Sequence, residues 1–276
     1  MYKGYRLKDK LILYYVRKIP NHPFKLRMVN FLNDTFFKNQ VKVTNQHNSI
    51  FGLSTREHIG YSIITQNEYE PLTTKMAAEI LSAGGVLVDV GANIGLISIY
   101  LSKIPGVTVY SVEPALINFQ KLLNNIHQND CQNIKPLNIA LSFEDSFGYL
   151  VNDSPNNAGT SKVITDSPNN QSYLIRLCTL ADVVNHLGIK QIDLLKIDVE
   201  GYEINVLKGL FKNGNTVLPK NMILEYGPQI ERTGYDLTAL FDYFSGLGYK
   251  PFDILGNPYV YPNHMPEDNL LFKLIA

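Results

Sequence analysis

The sequence predicts an α/β fold: a doubly wound, mostly parallel sheet, preceded by an N-terminal segment of different character. Three observations lead there. From about residue 69 onward, short β-branched runs alternate with stretches of helical spacing. One late run, Ile192–Val199, is near-continuous in apolar residues, as a strand covered on both faces must be. The first run, Val86–Val90, enters a glycine turn that opens a helix.

Taken in order, residues 1–66 read as irregular or lightly helical, broken by Pro20 and Pro23. They are expected to form a cap apart from a main domain of residues 67–276. A helix follows from Glu70-Pro71 to Leu81, with Pro71 suited to its first turn and Ala83-Gly84-Gly85 as its stop. Val86–Val90 is then a strand, Asn93–Lys103 a helix, Val107–Val112 a strand and Ala115–Gln128 a helix. In that last helix Leu116, Phe119, Leu122, Leu123 and Ile126 share one side. Ile134–Ala140 is a third strand. An insertion follows in which Asp153-Ser-Pro-Asn-Asn157 recurs as Asp166-Ser-Pro-Asn-Asn170, two turns bracketing a strand-like Thr160–Thr165. After Tyr173–Leu177 the order is helix (Leu180–Leu187), strand (Ile192–Val199), helix (Glu203–Phe211), strand (Asn221–Tyr226), helix (Leu237–Leu247) and strand (Tyr249–Ile254). Leu270–Ile275 is last. The loop before it is too short for a crossover helix, so this strand is expected to run antiparallel.

Composition narrows the function classes. The chain is 45% apolar and 18% charged, ordinary for a folded protein and wrong for a disordered one. No apolar run reaches the roughly 18 residues that span a bilayer, and the first residues lack the apolar core of a signal peptide. Cys131 and Cys178 share no metal-ligand spacing, and a reducing cytoplasm is the expected location. Formal net charge is zero, so a nucleic-acid partner is not expected. Charge is unevenly spread, however: residues 1–38 hold nine basic residues against Asp9 and Asp34. That stretch is either a helix with a solvated basic face or a contact for an anionic membrane or acidic partner.

The strongest local motif is Val88-Asp89-Val90-Gly91-Ala92-Asn93-Ile94-Gly95. A strand running through glycine into a helix exposes backbone N–H groups to a ligand. Glu113 ends the next strand, 22 positions after Gly91, where a carboxylate can accept hydrogen bonds from ribose hydroxyls. Together they point to an adenosine-bearing ligand in a Rossmann-like domain. The spacing G-x-x-x-G, with Asn93 between, lacks the second glycine that a dinucleotide pyrophosphate wants, and suits a zwitterionic amino-acid tail better. No phosphate-binding G-x-x-x-x-G-K-[ST] loop exists.

The second motif is Asp193-Leu-Leu-Lys196-Ile-Asp198-Val-Glu200-Gly201-Tyr202-Glu203. Lys196 and Asp198 project to one face of an otherwise apolar strand. A buried lysine needs a partner, and strand adjacency predicts a salt bridge between Lys196 and Asp89. Asp198 and Glu200 then fall at the strand's carboxyl end, where open α/β sheets bind ligands. A purely structural account makes them a helix cap and a first-turn carboxylate.

These runs, with Val112-Glu113-Pro114, Ala140-Leu141-Ser142 and Leu195–Gly201, resemble the FkbM family of S-adenosylmethionine-dependent methyltransferases. The similarity covers about Tyr69 to Ala276. It implies a seven-stranded sheet, S-adenosyl-L-methionine as cofactor, and O-methylation of a hydroxyl on a sugar, glycan or small metabolite. Carried onto this chain, Asp89, Gly91, Asn93 and Gly95 would line the cofactor, the last three at its methionine part. Glu113 with Pro114 would take the ribose, and Asn138–Ala140 would border the adenine. Glu70 resembles a family acid that reaches the cofactor amino group. Deprotonating an aliphatic hydroxyl needs a base or a metal. Asp198 and Glu200 are the expected catalytic groups, with Glu225 and His264 as further candidates. A divalent metal held by Asp198 and Glu225 is compatible with the sequence, but no ligand spacing calls for one. A nucleic-acid or protein methyltransferase, and a non-catalytic cofactor-binding scaffold, are the rival readings.

Overall fold

The computed structural model describes residues 7–20, 22, 24–32, 35, 41–45, 47–53, 58–152, 161–164, 172–211, 217–226, 237–260 and 267–275. His264 and both Asp-Ser-Pro-Asn-Asn turns lie outside them.

Before the first core strand come helices α1 (Leu7–Lys18), α2 (Lys25–Leu32), α3 (His58–Gln66) and α4 (Pro71–Ile80). Between α2 and α3 lies an antiparallel hairpin, β1 (Val41–Thr44) with β2 (Ile50–Leu53). The segment expected to be irregular or lightly helical thus holds three helices and a hairpin among its described residues. Pro20 and Pro23 fall in the sequence between α1 and α2.

The alternating part of the chain is β3 (Gly85–Val90), α5 (Leu96–Leu101), β4 (Val107–Val112), α6 (Leu116–Gln128) and β5 (Ile134–Leu137). After a small second sheet come α7 (Leu180–His186), β10 (Leu194–Ile197), α8 (Glu203–Leu210), β11 (Asn221–Glu225), α9 (Leu237–Gly246), β12 (Tyr249–Asp253) and β13 (Asn269–Leu274). The seven-stranded sheet has the order β12-β13-β11-β10-β3-β4-β5. β13 runs antiparallel to both its neighbours while the other pairs are parallel, as the short final connection requires. Strand order reverses beside β3, whose flanks are β4 and β10. That switch point is where open sheets leave a crevice at their carboxyl ends.

Two cores cover the sheet. On one face Leu87, Val109, Leu194, Ile223 and Leu271 pack with α4 and α5, and α1, α3 and β2 add Ile12, Leu13, Ile63, Ile64 and Phe51. On the other, Val88, Val90, Leu195, Ile197, Met222 and Phe272 pack with α7, α8 and α9. Side-chain alternation along each strand divides them.

The expected third strand, Ile134–Ala140, divides at Asn138. β5 stays in the central sheet, while β6 (Ala140–Ser142) opens a second sheet with β7 (Ser146–Asn152), β8 (Ser161–Ile164) and β9 (Ser172–Thr179). Its order is β6-β9-β7-β8, with β6 parallel to β9 and the other pairs antiparallel. Among the described residues, no helix is long and apolar enough to cross a membrane.

Candidate active site

The site begins where β3 ends. The chain leaves Val90 through Gly91 (φ 83°) and Asn93 (φ 51°) and enters α5 from Gly95 (φ 87°). Left-handed backbone suits glycine, but contact decides these two positions. A Cβ on Gly91 would stand 1.8 Å from the Asp198 carbonyl oxygen, so the turns after β3 and β10 meet backbone to backbone. A Cβ on Gly95 would strike Leu122 of α6 at 2.5 Å. Gly95 therefore answers to helix packing, and it stands outside the cleft wall.

Glu113 follows β4 and is buried. Its carboxylate accepts the Asn93 N–H at 2.9 Å and the Ala115 N–H at 2.8 Å, and the Asn118 side chain bonds it as well. Burial pushes its pKa up to about 7, against the pull of those hydrogen bonds. The Asn138 amide donates to the carbonyls of Glu113 (2.8 Å) and Pro114 (3.1 Å), tying the β5–β6 link to the same corner.

Lys196 and Asp89 are register partners on adjacent parallel strands, as expected. The expected salt bridge is corrected: the ammonium reaches Asp198 at 2.8 Å and Glu70 at 4.0 Å instead. The reason is local. Ser98 of α5 sits over Asp89 and donates to it at 2.6 Å, itself linked to Ser111 at 2.7 Å. The long lysine side chain reaches past Asp89 to the strand end. Burial alone would lower the lysine's pKa, but Asp198, Glu70 and Asp89 outweigh it and hold the side chain charged. Burial raises Asp89 against the Lys196 charge and the Ser98 bond.

Glu70 precedes α4 in left-handed backbone (φ 45°, ψ 62°) and makes no capping bond of its own. Glu267 caps that helix instead, accepting the N–H groups of Leu72 and Thr73, both at 2.9 Å. The Glu70 side chain is thereby released toward Lys196. Its Oε2 is buried without a hydrogen-bond partner, and burial raises its pKa to about 7 despite Lys196. Glu200 too holds left-handed backbone (φ 56°). Three non-glycine residues in this sparsely populated region, Glu70, Asn93 and Glu200, thus gather at one corner.

Glu203 closes the turn after β10. Its Oε1 accepts from Val199 N–H (3.0 Å) and Gly201 N–H (3.1 Å), and its Oε2 is buried without a partner. Glu225 ends β11. Burial, then the charges of Asp198, Glu200 and Glu203, push its pKa up to about 9, so at neutral pH it holds its proton and hydrogen-bonds Asp198. Among the described residues no group of His, Cys, Asp and Glu has an arrangement that would hold a metal ion.

One cleft joins these parts, with about 950 Å³ of empty space, some of it open to solvent. Asp89, Gly91, Asn93, Glu113, Pro114, Ala140, Asp198 and Glu200 all line it. Glu70 and Glu225 adjoin it through Lys196 and Asp198, which line it. Several lining residues were not singled out from sequence: Ile59 of α3, Tyr69, Leu150 of β7, Val163 of β8 and Tyr202. Tyr69 adjoins Glu70 and Tyr202 lies within the second motif, so proximity could have flagged both. Leu150 and Val163 carry no such signal.

Against known proteins, a family model described as "Methyltransferase FkbM domain" matches residues 89–251. Methyltransferase sdnD of Sordaria araneosa is 29% identical over 230 residues, covering 66% of this chain and 88% of that protein. Methyltransferase 1 of Beauveria bassiana is 26% identical over 144 residues, covering 45% of this chain and 57% of its own length. Among solved structures, a putative caffeoyl-CoA O-methyltransferase from Staphylococcus aureus aligns with a TM-score of 0.45 at 10% identity, covering 78% of this chain and 89% of that one.

Proposed function

The chain belongs to the FkbM methyltransferase family, and from that premise we propose that it moves the methyl group of S-adenosylmethionine to a hydroxyl oxygen of a sugar, glycan or small metabolite. One observation carries the reading. A single cleft at the carboxyl ends of β3, β4 and β10 joins a buried acid suited to a ribose, Glu113, to two carboxylates suited to an acceptor, Asp198 and Glu200.

The residues fit the cofactor. Glu70 Oε2 is buried with no hydrogen-bond partner, the Lys196 ammonium standing 4.0 Å away, and an α-ammonium group would supply a donor. Glu113 keeps a lone pair for a ribose hydroxyl, and Gly91 and Asn93 line the cleft beside the amino-acid tail, their own N–H groups given to Val112 and Glu113. Asp89 and Pro114 belong to the same wall, and Ala140 borders the adenine end. Gly95 contributes by setting the angle of α5.

When bound, the cofactor supplies a methyl group on a sulfonium that already carries its leaving group. The protein's own work is to align the acceptor oxygen and to take its proton. The cofactor would give up its methyl group and leave as a neutral thioether, and a carboxylate of the cleft would take the acceptor hydroxyl's proton. Glu225 is protonated at neutral pH and so holds Asp198 in place rather than acting as a base. Asp198 and Glu200 remain as acceptors of the proton.

The test is transfer of labelled methyl from S-adenosylmethionine into a glycan and metabolite extract, with mass identification of the product. Transfer to a hydroxyl is expected; transfer only to nitrogen or to nucleic acid overturns the acceptor class. In calorimetry Glu113→Ala is expected to weaken cofactor binding by ~1–3 kcal/mol, and unchanged affinity removes Glu113 from the ribose.

A further inference from the structure

Helices α1 and α2 carry apolar side chains on two faces, not one. Inward, Ile12, Leu13 and Val16 of α1 and Val29 of α2 are at most 4% exposed and belong to the core beneath α4 and α5. Outward, Leu7, Leu11 and Tyr14 recur at helical spacing on α1, and Phe24, Met28 and Phe31 repeat that spacing at α2. All six are between 44% and 75% exposed. An ordinary surface helix turns charge to water on this side. Clustered exposed side chains of this size mark an interaction surface.

The basic residues share the same outer faces. Lys10 and Lys18 are exposed beside Leu7, Leu11 and Tyr14, and Arg27 is exposed beside Phe24, Met28 and Phe31. The two helices touch, and α1 is no loose arm. Arg17 donates to the carbonyls of Ile64 (2.9 Å) and Ile63 (3.1 Å) and to the Asn67 side chain (3.0 Å), fastening α1 to α3. Ile59 of α3 in turn lines the cleft.

We propose that this outer face of α1 and α2 docks the protein on an anionic lipid surface. Apolar and aromatic side chains would enter the headgroup boundary while Lys10, Lys18 and Arg27 meet lipid phosphates and carboxylates. Charge selects this occupant. A symmetric second copy would bring the same three cations against themselves, and a soluble polyanion would leave six large apolar side chains in water. The inference does not depend on which acceptor is methylated.

The test is co-sedimentation of the full chain with vesicles, either pure phosphatidylcholine or carrying about a third phosphatidylserine. Binding about tenfold or more tighter to the anionic vesicles, lost at high salt, is expected. Two triple variants dissect it: Leu11→Ser, Tyr14→Ser and Phe31→Ser in one, Lys10→Glu, Lys18→Glu and Arg27→Glu in the other. All six positions are exposed, so both variants should melt as the parent does, and each should lose about tenfold or more of the vesicle binding. Equal binding to neutral vesicles, or binding untouched by charge reversal, overturns the proposal. So does a dimer in light scattering that the serine variant dissolves, since the face would then belong to a second copy.

Discussion

The two ends of β10 treat acidic side chains in opposite ways. At the amino end, Asp193 Oδ1 accepts from Lys220 at 2.8 Å and Gln191 at 2.6 Å, and Oδ2 accepts the Val86 N–H at 2.8 Å. Its partial burial pushes the pKa up, but these bonds outweigh it and the net shift is downward. At the carboxyl end lie five acids: Glu70, Asp89 and Asp198 act on the Lys196 charge, and Glu203 and Glu225 act on Asp198. Four of them are raised, each by burial first. The lower corner is finished. The upper one holds charges in a state that water or a ligand would relieve, as sites that bind and react do. The same strand therefore separates an acid that serves the fold from acids suited to chemistry.

The largest effect that tests this contrast is on turnover. Asp198→Asn and Glu200→Gln keep shape and remove a carboxylate. At least one is expected to slow methyl transfer by ~100-fold or more with cofactor affinity little changed. Asp193→Asn on the same strand should leave turnover near that of the parent. If Asp193→Asn slows the reaction as much as either of the others, the contrast between the two ends fails.

Much of the sheet was readable because parallel strands buried on both faces announce themselves as apolar runs, as Val86–Val90 and Ile192–Val199 do. The second sheet was harder to see. β6 is only three residues and follows β5 with no turn residue stronger than Asn138, and Phe147 and Leu174 face solvent, blurring the alternation of β7 and β9. The N-terminal helices were obscured in a related way: apolar residues on both sides of α1 and α2 leave no clean amphipathic stripe. In the site, strand order placed Lys196 beside Asp89 correctly, but the choice of partner did not follow. Which acid a long ammonium reaches depends on Ser98 arriving from α5 and on Glu267 releasing Glu70, contacts made across long sequence separations.

A smaller but sharper test compares stability. Lys196→Met removes the Lys196 charge from the upper corner and leaves buried carboxylates uncompensated, a loss of ~3–5 kcal/mol in denaturant unfolding. Asp193→Asn breaks a pair in which Lys220 is half exposed, worth ~0–1 kcal/mol. Equal losses at the two positions would mean that Lys196 is no better buried or coupled than Lys220.

The smallest effect is the most specific, because it depends on sign. Glu225 titrates near 9 in the fold against an ordinary 4.5 in the unfolded chain. Between those values the folded state holds a proton that the unfolded state has lost. Its contribution to stability is thus complete below about pH 4.5 and disappears as pH rises through about 9. Glu225→Gln keeps the neutral form at every pH and removes that dependence. Glu70 and Glu113, raised to about 7, stay in both proteins, so the difference between the two melting curves isolates Glu225. At pH 9 and above the variant is expected to melt ~2–4 °C higher for each kcal/mol recovered, with the gap narrowing toward pH 5. Asp193 must show the reverse. Its depressed pKa gives stability that is present above the ordinary 3.8 and lost as pH falls through the lower folded value, so Asp193→Asn should differ from the parent at neutral pH and converge with it in strong acid. Two acid-to-amide changes whose melting differences open at opposite ends of the pH scale would establish that the two ends of the sheet hold their carboxyl groups differently. Parallel pH profiles would show that they do not.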